Sequence, residues 1–67
     1  MQLSARNQLK GTIKTVSLGS IMAEVVVEVS GQEVVAEITK SSAQKLGLKT
    51  GDAVTVVIKS TDVMLAK

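Results

Sequence analysis

Apolar and polar residues alternate along most of this chain, and a period of two marks strands buried on one face. From Leu9 to Val16 the alternation sets Leu9, Gly11 and Ile13 against Lys10, Thr12 and Lys14, with Gly11 expected to mark a bulge or sharp bend. Ser17-Leu18-Gly19-Ser20 reads as a turn. The next strand, about Ile21 to Val29, directs Ala23, Val25, Val27 and Val29 inward and Glu24, Val26 and Glu28 outward. Ser30-Gly31 is a hairpin signal, and a third strand from Gln32 to Thr39 sets Val34, Ala36 and Ile38 against Glu33, Val35 and Glu37. Glu24 and Glu28 are expected to face Lys10 and Lys14 across neighbouring strands, as a solvated charged face. Val26 and Val35 interrupt the polar faces, and Val57 does so later in the chain. Valines on outward faces are costly to leave wet, so these predict subunit contacts.

The period changes near Ser41. Ser41-Ser42-Ala43-Gln44 has capping-box spacing, and Leu46 and Leu48 flank Gly47, a left-handed C-terminal cap, which predicts a helix of about one and a half turns. Lys49-Thr50-Gly51-Asp52 turns into a fourth strand, with Val54, Val56 and Ile58 inward and Thr55, Val57 and Lys59 outward. After a break at Ser60-Thr61-Asp62, Val63 to Leu65 reads as a short final strand. The expected fold is all-β with one short helix, an OB-like five-stranded Greek-key barrel with the helix between its third and fourth strands. With no proline, linker or internal repeat, residues 1–67 read as a single domain.

Composition narrows the function. Of the 67 residues 45% are hydrophobic, yet there is no Phe, Tyr or Trp, so the core is built from small side chains. A domain this small buries only about 60% of its unfolded surface. Such a monomer is marginal, and self-association is the expected remedy. There is no cysteine or histidine, which removes disulfides, thiolate metal sites, the usual zinc ligand and the commonest general base. The serines have no base to activate them, the glutamates follow strand alternation rather than converging, and Gly-rich phosphate loops are missing. The chain is therefore not expected to be an enzyme. A net charge of +2 without a basic run, and without aromatic stacking platforms, argues against nucleic acid, which only fold analogy supports. No apolar stretch approaches the ~18 residues of a membrane span, and no signal-peptide layout is present, so no membrane partner and a cytoplasmic location are expected.

The chemically distinctive stretch is Ser4-Ala5-Arg6-Asn7-Gln8-Leu9-Lys10-Gly11. If it is extended, Ser4 and Arg6 share a face and Asn7 points away, toward a structural or interface role. A hydroxyl beside a guanidinium is a donor-rich, positive patch that suits a tetrahedral oxyanion. The alternative is an ordinary strand end whose Arg6 makes a surface ion pair. Ser-Ala-Arg-Asn-Gln-Leu-Lys-Gly-Thr-Ile resembles the opening motif of the Mop domain family, the molbindins and the related domains of molybdate regulators and transporters. The likeness continues through Val16, Gly19, Ala23-Glu24-Val25, Ile38-Thr39, Ser42, Leu46 and Leu48. It closes with Gly51-Asp52 and Val57-Ile58-Lys59-Ser60, so it covers nearly the whole chain.

That resemblance implies an OB-like fold, no catalytic residues, no cofactor, and molybdate binding for intracellular molybdenum storage or homeostasis. Tungstate, of nearly the same size and charge, is not separated from molybdate by the sequence. It also implies a homo-oligomer, a hexamer in the family, with the anions held between subunits. The side chains it points to are Ser4 and Arg6 at the start and Lys59 and Ser60 at the end. Lys59 and Ser60 would face opposite ways in an ideal strand, so both reach one ligand only if the strand ends or bulges there. The Gly19, Ser20 and Ile21 turn is the candidate for backbone N–H donation, since a glycine lets the main chain approach closely. Thr39 and Ser42 match hydroxyl positions near the family's anions, with capping the helix as an equal alternative. The other role in the family is a sensing module of a larger regulator or transporter; Met1 close to the motif, with no linker at either end, favours the free-standing binder.

Overall fold

The computed structural model describes residues 4–67. Its elements are β1 (Asn7–Leu18), β2 (Met22–Val29), β3 (Gln32–Thr39), α1 (Lys40–Leu46) and β4 (Ala53–Ile58), followed by a single 3-10 turn, Ser60–Asp62. The strands form one antiparallel sheet in the order β3-β2-β1-β4. This is the expected all-β, OB-like fold with its helix between the third and fourth strands. β3 has the bounds that alternation predicts, whereas β1 runs past the expected Leu9–Val16 at both ends.

The length of β1 lets it serve two neighbours. Its first half pairs with β4, from Asn7↔Ile58 to Thr12↔Ala53, and its second half with β2, from Thr12↔Glu28 to Leu18↔Ala23. Where the partners change over, the main chain of β1 presses on β2. A Cβ on Gly11 would lie 2.6 Å from the Glu28 carbonyl oxygen and 2.7 Å from Val27 Cγ1, so only glycine permits the approach. The bulge itself is displaced from the expected place. It falls at Lys14, between the pairs Ile13↔Val27 and Thr15↔Val26, because the extra residue there allows both Ile13 and Val16 to face the core three positions apart.

The core centres on Ile13, Val25 and Val27, with Val16, Val29, Ile38, Leu48, Val54 and Val56 packed around it. α1 covers one end and buries only Ala43. Thr39, not Ser41, caps it: the Thr39 hydroxyl accepts from the Ser42 N–H at 3.0 Å and donates to the Ser42 hydroxyl at 2.8 Å. The Lys40 N–H donates to the Ile21 carbonyl at 2.7 Å, which fastens the first turn to the β1–β2 connection and starts the helix earlier than the Ser-x-x-Gln spacing indicates. Gly47 ends it in the left-handed region, as expected, with φ 62° and ψ 37°. The Gly47 and Leu48 N–H groups donate to Gln44 and Ala43 at 3.1 and 3.2 Å, closing the helix with paired bonds.

The fifth strand is absent from the sheet. Val63–Leu65 follows the 3-10 turn without regular structure, and Met64 and Leu65 are 92% and 95% exposed. A strand needs a ladder to join, and the edges of β3 and β4 face an open apolar trough of about 230 Å³ lined by Val25, Ala36, Ile38, Leu46, Val54 and Val56 among others. The expected charge pairs also rearrange. Lys10 lies opposite Thr55 of β4, since that half of β1 has no acidic neighbour strand. Lys14, displaced by the bulge, forms its ion pair with Glu33 of β3. Glu33, with a smaller contribution from Glu28, raises the Lys14 pKa above its ordinary 10.5.

Gly11→Ala should cost about 3 kcal/mol, the upper part of the overpacking range, because backbone rather than a movable side chain blocks the new methyl. Thr39→Ala should cost about 1 kcal/mol through loss of the cap. Urea unfolding of both variants without added anion measures the two losses. Because the Lys14 pKa is raised on folding, its contribution is complete below the ordinary lysine value and is lost as pH climbs through the raised one. The stabilities of the parent and Lys14→Met should therefore differ at neutral pH and converge in strong alkali.

Candidate functional site

The β1–β4 register gathers the first predicted group. Asn7 lies opposite Ile58 in the last pair of the ladder, so Arg6 leaves β1 and Lys59 leaves β4 at the same end of the sheet. Two side-chain bonds secure this end of the chain. The Asn7 amide donates to the Ile58 carbonyl at 3.2 Å, the structural role expected of it, and the Gln8 amide donates to the Ala5 carbonyl at 3.3 Å. Ala5 is buried, which fixes the parity: Ser4 and Arg6 flank it and are exposed. β4 ends at Ile58, so Lys59 and Ser60 escape strand alternation, Lys59 remaining extended and Ser60 opening the 3-10 turn. Two basic side chains and two hydroxyls thus lie on the segments that leave one end of the β1–β4 ladder. Among the described residues neither cation has a carboxylate partner.

A second group forms around the β1–β2 turn. The Gly19 N–H donates to the Met22 carbonyl at 2.8 Å, and a Cβ on Gly19 would lie 2.9 Å from that oxygen, so this glycine makes the turn tight. Ser20 and Ile21 are exposed at its tip and, through the Lys40 N–H bond to Ile21, meet the start of α1. Ser20, Ile21, Thr39, Lys40, Ser41 and Gln44 line one open depression. The Thr39 hydroxyl is spent on the cap, as donor to Ser42 and acceptor from its N–H, which leaves the Ser42 hydroxyl hydrogen free to donate. Lys40 is the residue that sequence reasoning missed. Its signal was present, a cation directly after the Ile-Thr pair, but placing the helix start at Ser41 left Lys40 without a position.

These groups do not meet within one chain. Arg6 precedes β1 and Gly19 follows it, and a strand of that length spans roughly 36 Å at about 3.3 Å per residue when straight. The whole molecule measures 34 Å along its longest axis. A tetrahedral anion a few ångströms across touches one group or the other. What each offers is the same: hydroxyls, a cation or two, and N–H groups, all donors and no base.

Comparison with known proteins agrees with this composition. The TOBE domain model matches residues 3–65. Molybdenum-pterin-binding protein 3 of Clostridium pasteurianum is 50% identical, with 97% of each chain covered. Among solved structures, a molybdate binding protein from Sporomusa ovata superposes over 100% of both chains with a TM-score of 0.97 and 40% identity. The cytoplasmic molybdate-binding protein ModG matches 90% of this chain and 43% of its own, with a TM-score of 0.84 and 43% identity. A family model spanning nearly every residue, and a relative aligned end to end, establish that the chain belongs to the TOBE domain family, within the molbindin (Mop) group whose opening motif it carries.

Proposed function

We propose that this protein binds molybdate, without catalysis, at contacts between identical subunits, and so serves molybdenum storage or homeostasis in the cytoplasm. The observation that carries this reading is that Arg6 and Lys59 leave the same end of the β1–β4 ladder, each with a serine close by in the chain, Ser4 and Ser60, and neither with a carboxylate partner among the described residues. Two adjacent cations repel each other unless an anion lies between them. Molybdate has four oxygens and no proton at neutral pH, so a site made only of donors suits it. Monoprotonated phosphate would turn its hydrogen against a donor and leave one bond unmade. The donor group at the far end of β1, with Ser20, Ile21 and Ser42, completes the site when a second chain supplies it. Gly19 shapes that turn, and Thr39 orients Ser42.

Magnitudes support sharing. Charge-assisted hydrogen bonds contribute roughly 1.5–3 kcal/mol each, whereas micromolar affinity requires about 8 kcal/mol in total. One end of β1 alone falls short after desolvation, and both together reach it. Several relatives are named for a molybdenum-pterin ligand. A pterin ring is held by stacking, and this chain has no aromatic side chain to stack on it, so the bare oxyanion is the better fit. The same absence, together with an isolated cation pair in place of a basic stripe, favours an inorganic anion over nucleic acid. No helix among the described residues is long and apolar enough to cross a membrane.

Self-association answers two exposures at once. Val63, Met64 and Leu65 form an apolar segment without a ladder, and β3 and β4 form a trough whose edges lack a strand. A second copy satisfies both, and the family resemblance supports a hexamer as the assembly.

Arg6→Ala should weaken molybdate binding by roughly 10- to 100-fold, the worth of one charge-assisted bond, while the melting temperature without anion stays put, because an exposed arginine contributes little to stability. Titration calorimetry decides it, and unchanged affinity removes Arg6 from the site. Molybdate should also raise the melting temperature and hold the assembly together on dilution. Native mass spectrometry should find the anion on oligomers, and its retention by monomers would contradict a shared site.

A further inference from the structure

All four glutamates of the chain stand on the outward face of β2 and β3, where the register stacks Met22↔Thr39, Glu24↔Glu37, Val26↔Val35 and Glu28↔Glu33 as successive layers. Carboxylates directly opposite one another repel. At the Glu28–Glu33 layer Lys14 relieves that repulsion through its ion pair with Glu33. The Glu24–Glu37 layer has no such relief. On its other side Glu24 lies opposite Ser17 of β1, Glu37 is on the edge strand, and no cation lies within ion-pair distance of either carboxylate among the described residues.

This bare pair lies beside the donor turn. The next layer is Met22 and Thr39, which anchor the two donor-bearing segments: the Met22 carbonyl accepts from the Gly19 N–H, and the Thr39 hydroxyl caps α1 and donates to Ser42. Successive layers are about 6.6 Å apart, so both carboxylates stand one short step from that end. Gly19, Ser20, Ile21, Met22, Glu24 and Glu37 line one open depression, and both glutamates are exposed in it. Lys40, the cation nearest to Glu37 in the chain, lines the neighbouring depression with Ser41 and Gln44 instead. An anion held by the turn therefore shares a concavity with two like charges, at a separation comparable with the Debye length of about 8 Å at physiological salt. Glu28 and Glu33 are about 20 Å from the Met22 layer, where dissolved ions screen them.

A tight anion site has no use for carboxylates at this position, since a carboxylate has no proton to donate to an oxyanion. Glutamines would occupy the same two strand positions without repelling each other or the ligand. We infer that Glu24 and Glu37 are affinity-setting residues: by repulsion through space they hold down the affinity of the Gly19–Ile21 turn for molybdate, so the dianion is released at a higher free concentration than the donors alone would permit. The effect is Coulombic, and it is doubled by the two charges of the ligand. This rests on the proposed molybdate binding and adds to it the groups that oppose it.

Molybdate titration calorimetry at two ionic strengths tests the inference. At about 0.05 M salt, Glu24→Gln combined with Glu37→Gln should tighten binding at least about fivefold, with each single variant between it and the parent. At about 0.5 M salt the gain should shrink to within about twofold, because screening removes an effect of charge but not one of shape or assembly. Glu28→Gln changes the net charge as much as either single variant does, yet should leave affinity within about twofold of the parent at both strengths. Should the double variant fail to fold, the two single variants make the same comparison. Unchanged affinity in the glutamine variants, a gain that persists at high salt, or an equal gain from Glu28→Gln overturns the affinity-setting role alone. A parent chain that binds no molybdate at either strength overturns the proposed function, and this role with it.

Discussion

The structure depends on one strand having two partners. β1 gives its first half to β4 and its second to β2, and the change of partner is possible only because Gly11 lets the main chain approach the Glu28 carbonyl more closely than any Cβ allows. That bend curls a four-stranded sheet around a core of three buried side chains. The same division sets the chemistry. Whatever stands before β1 is carried to one end of the molecule and whatever follows it to the other, so Arg6 and the Gly19 turn are kept apart by the element that links them in sequence.

Electrostatics follow from that placement. Where β1 is beside β2, the glutamates of β2 and β3 have Lys14 for company. Where it is beside β4, Lys10 faces a strand that contains no acidic residue. Among the described residues the basic side chains at that end therefore have no carboxylate partner, which is the ground for the proposed oxyanion site.

Much of the fold was legible in the sequence because a half-buried strand shows its parity. β3 was readable to the residue, and Gly47 announced the helix end because a left-handed residue after an apolar turn leaves few other choices. Parity fails where it resets. The bulge at Lys14 moves Val16 onto the same face as Ile13, and no local pattern distinguishes that from a strand that simply continues. The helix start was hidden for another reason: the bond from the Lys40 N–H to the Ile21 carbonyl is tertiary, and it overrode the better-looking cap at Ser41. The expected final strand does not form: Val63–Leu65 has no regular structure and no place in the ladder order, and alternation alone does not show whether an edge is within reach. Of the candidate site, the residue types were foreseeable from the motif, while the separation of the two donor groups along β1 needed the register.

A thin core and a divided site are two expressions of one economy of material. With no aromatic side chain, each residue buries little area, and the monomer leaves Leu46, Met64 and Leu65 largely in water. Any contact that covers them adds a large fraction of the total stability, because that total is only several kcal/mol in a domain of this size. An anion that bridges two chains binds the assembled state and not the separated one, so by linkage it strengthens assembly as much as assembly strengthens its binding. A site shared as proposed makes the protein most stable when it is full. Release of the ligand and loosening of the oligomer are, for such a site, a single equilibrium, which would suit a store whose contents must be given up when the free concentration falls.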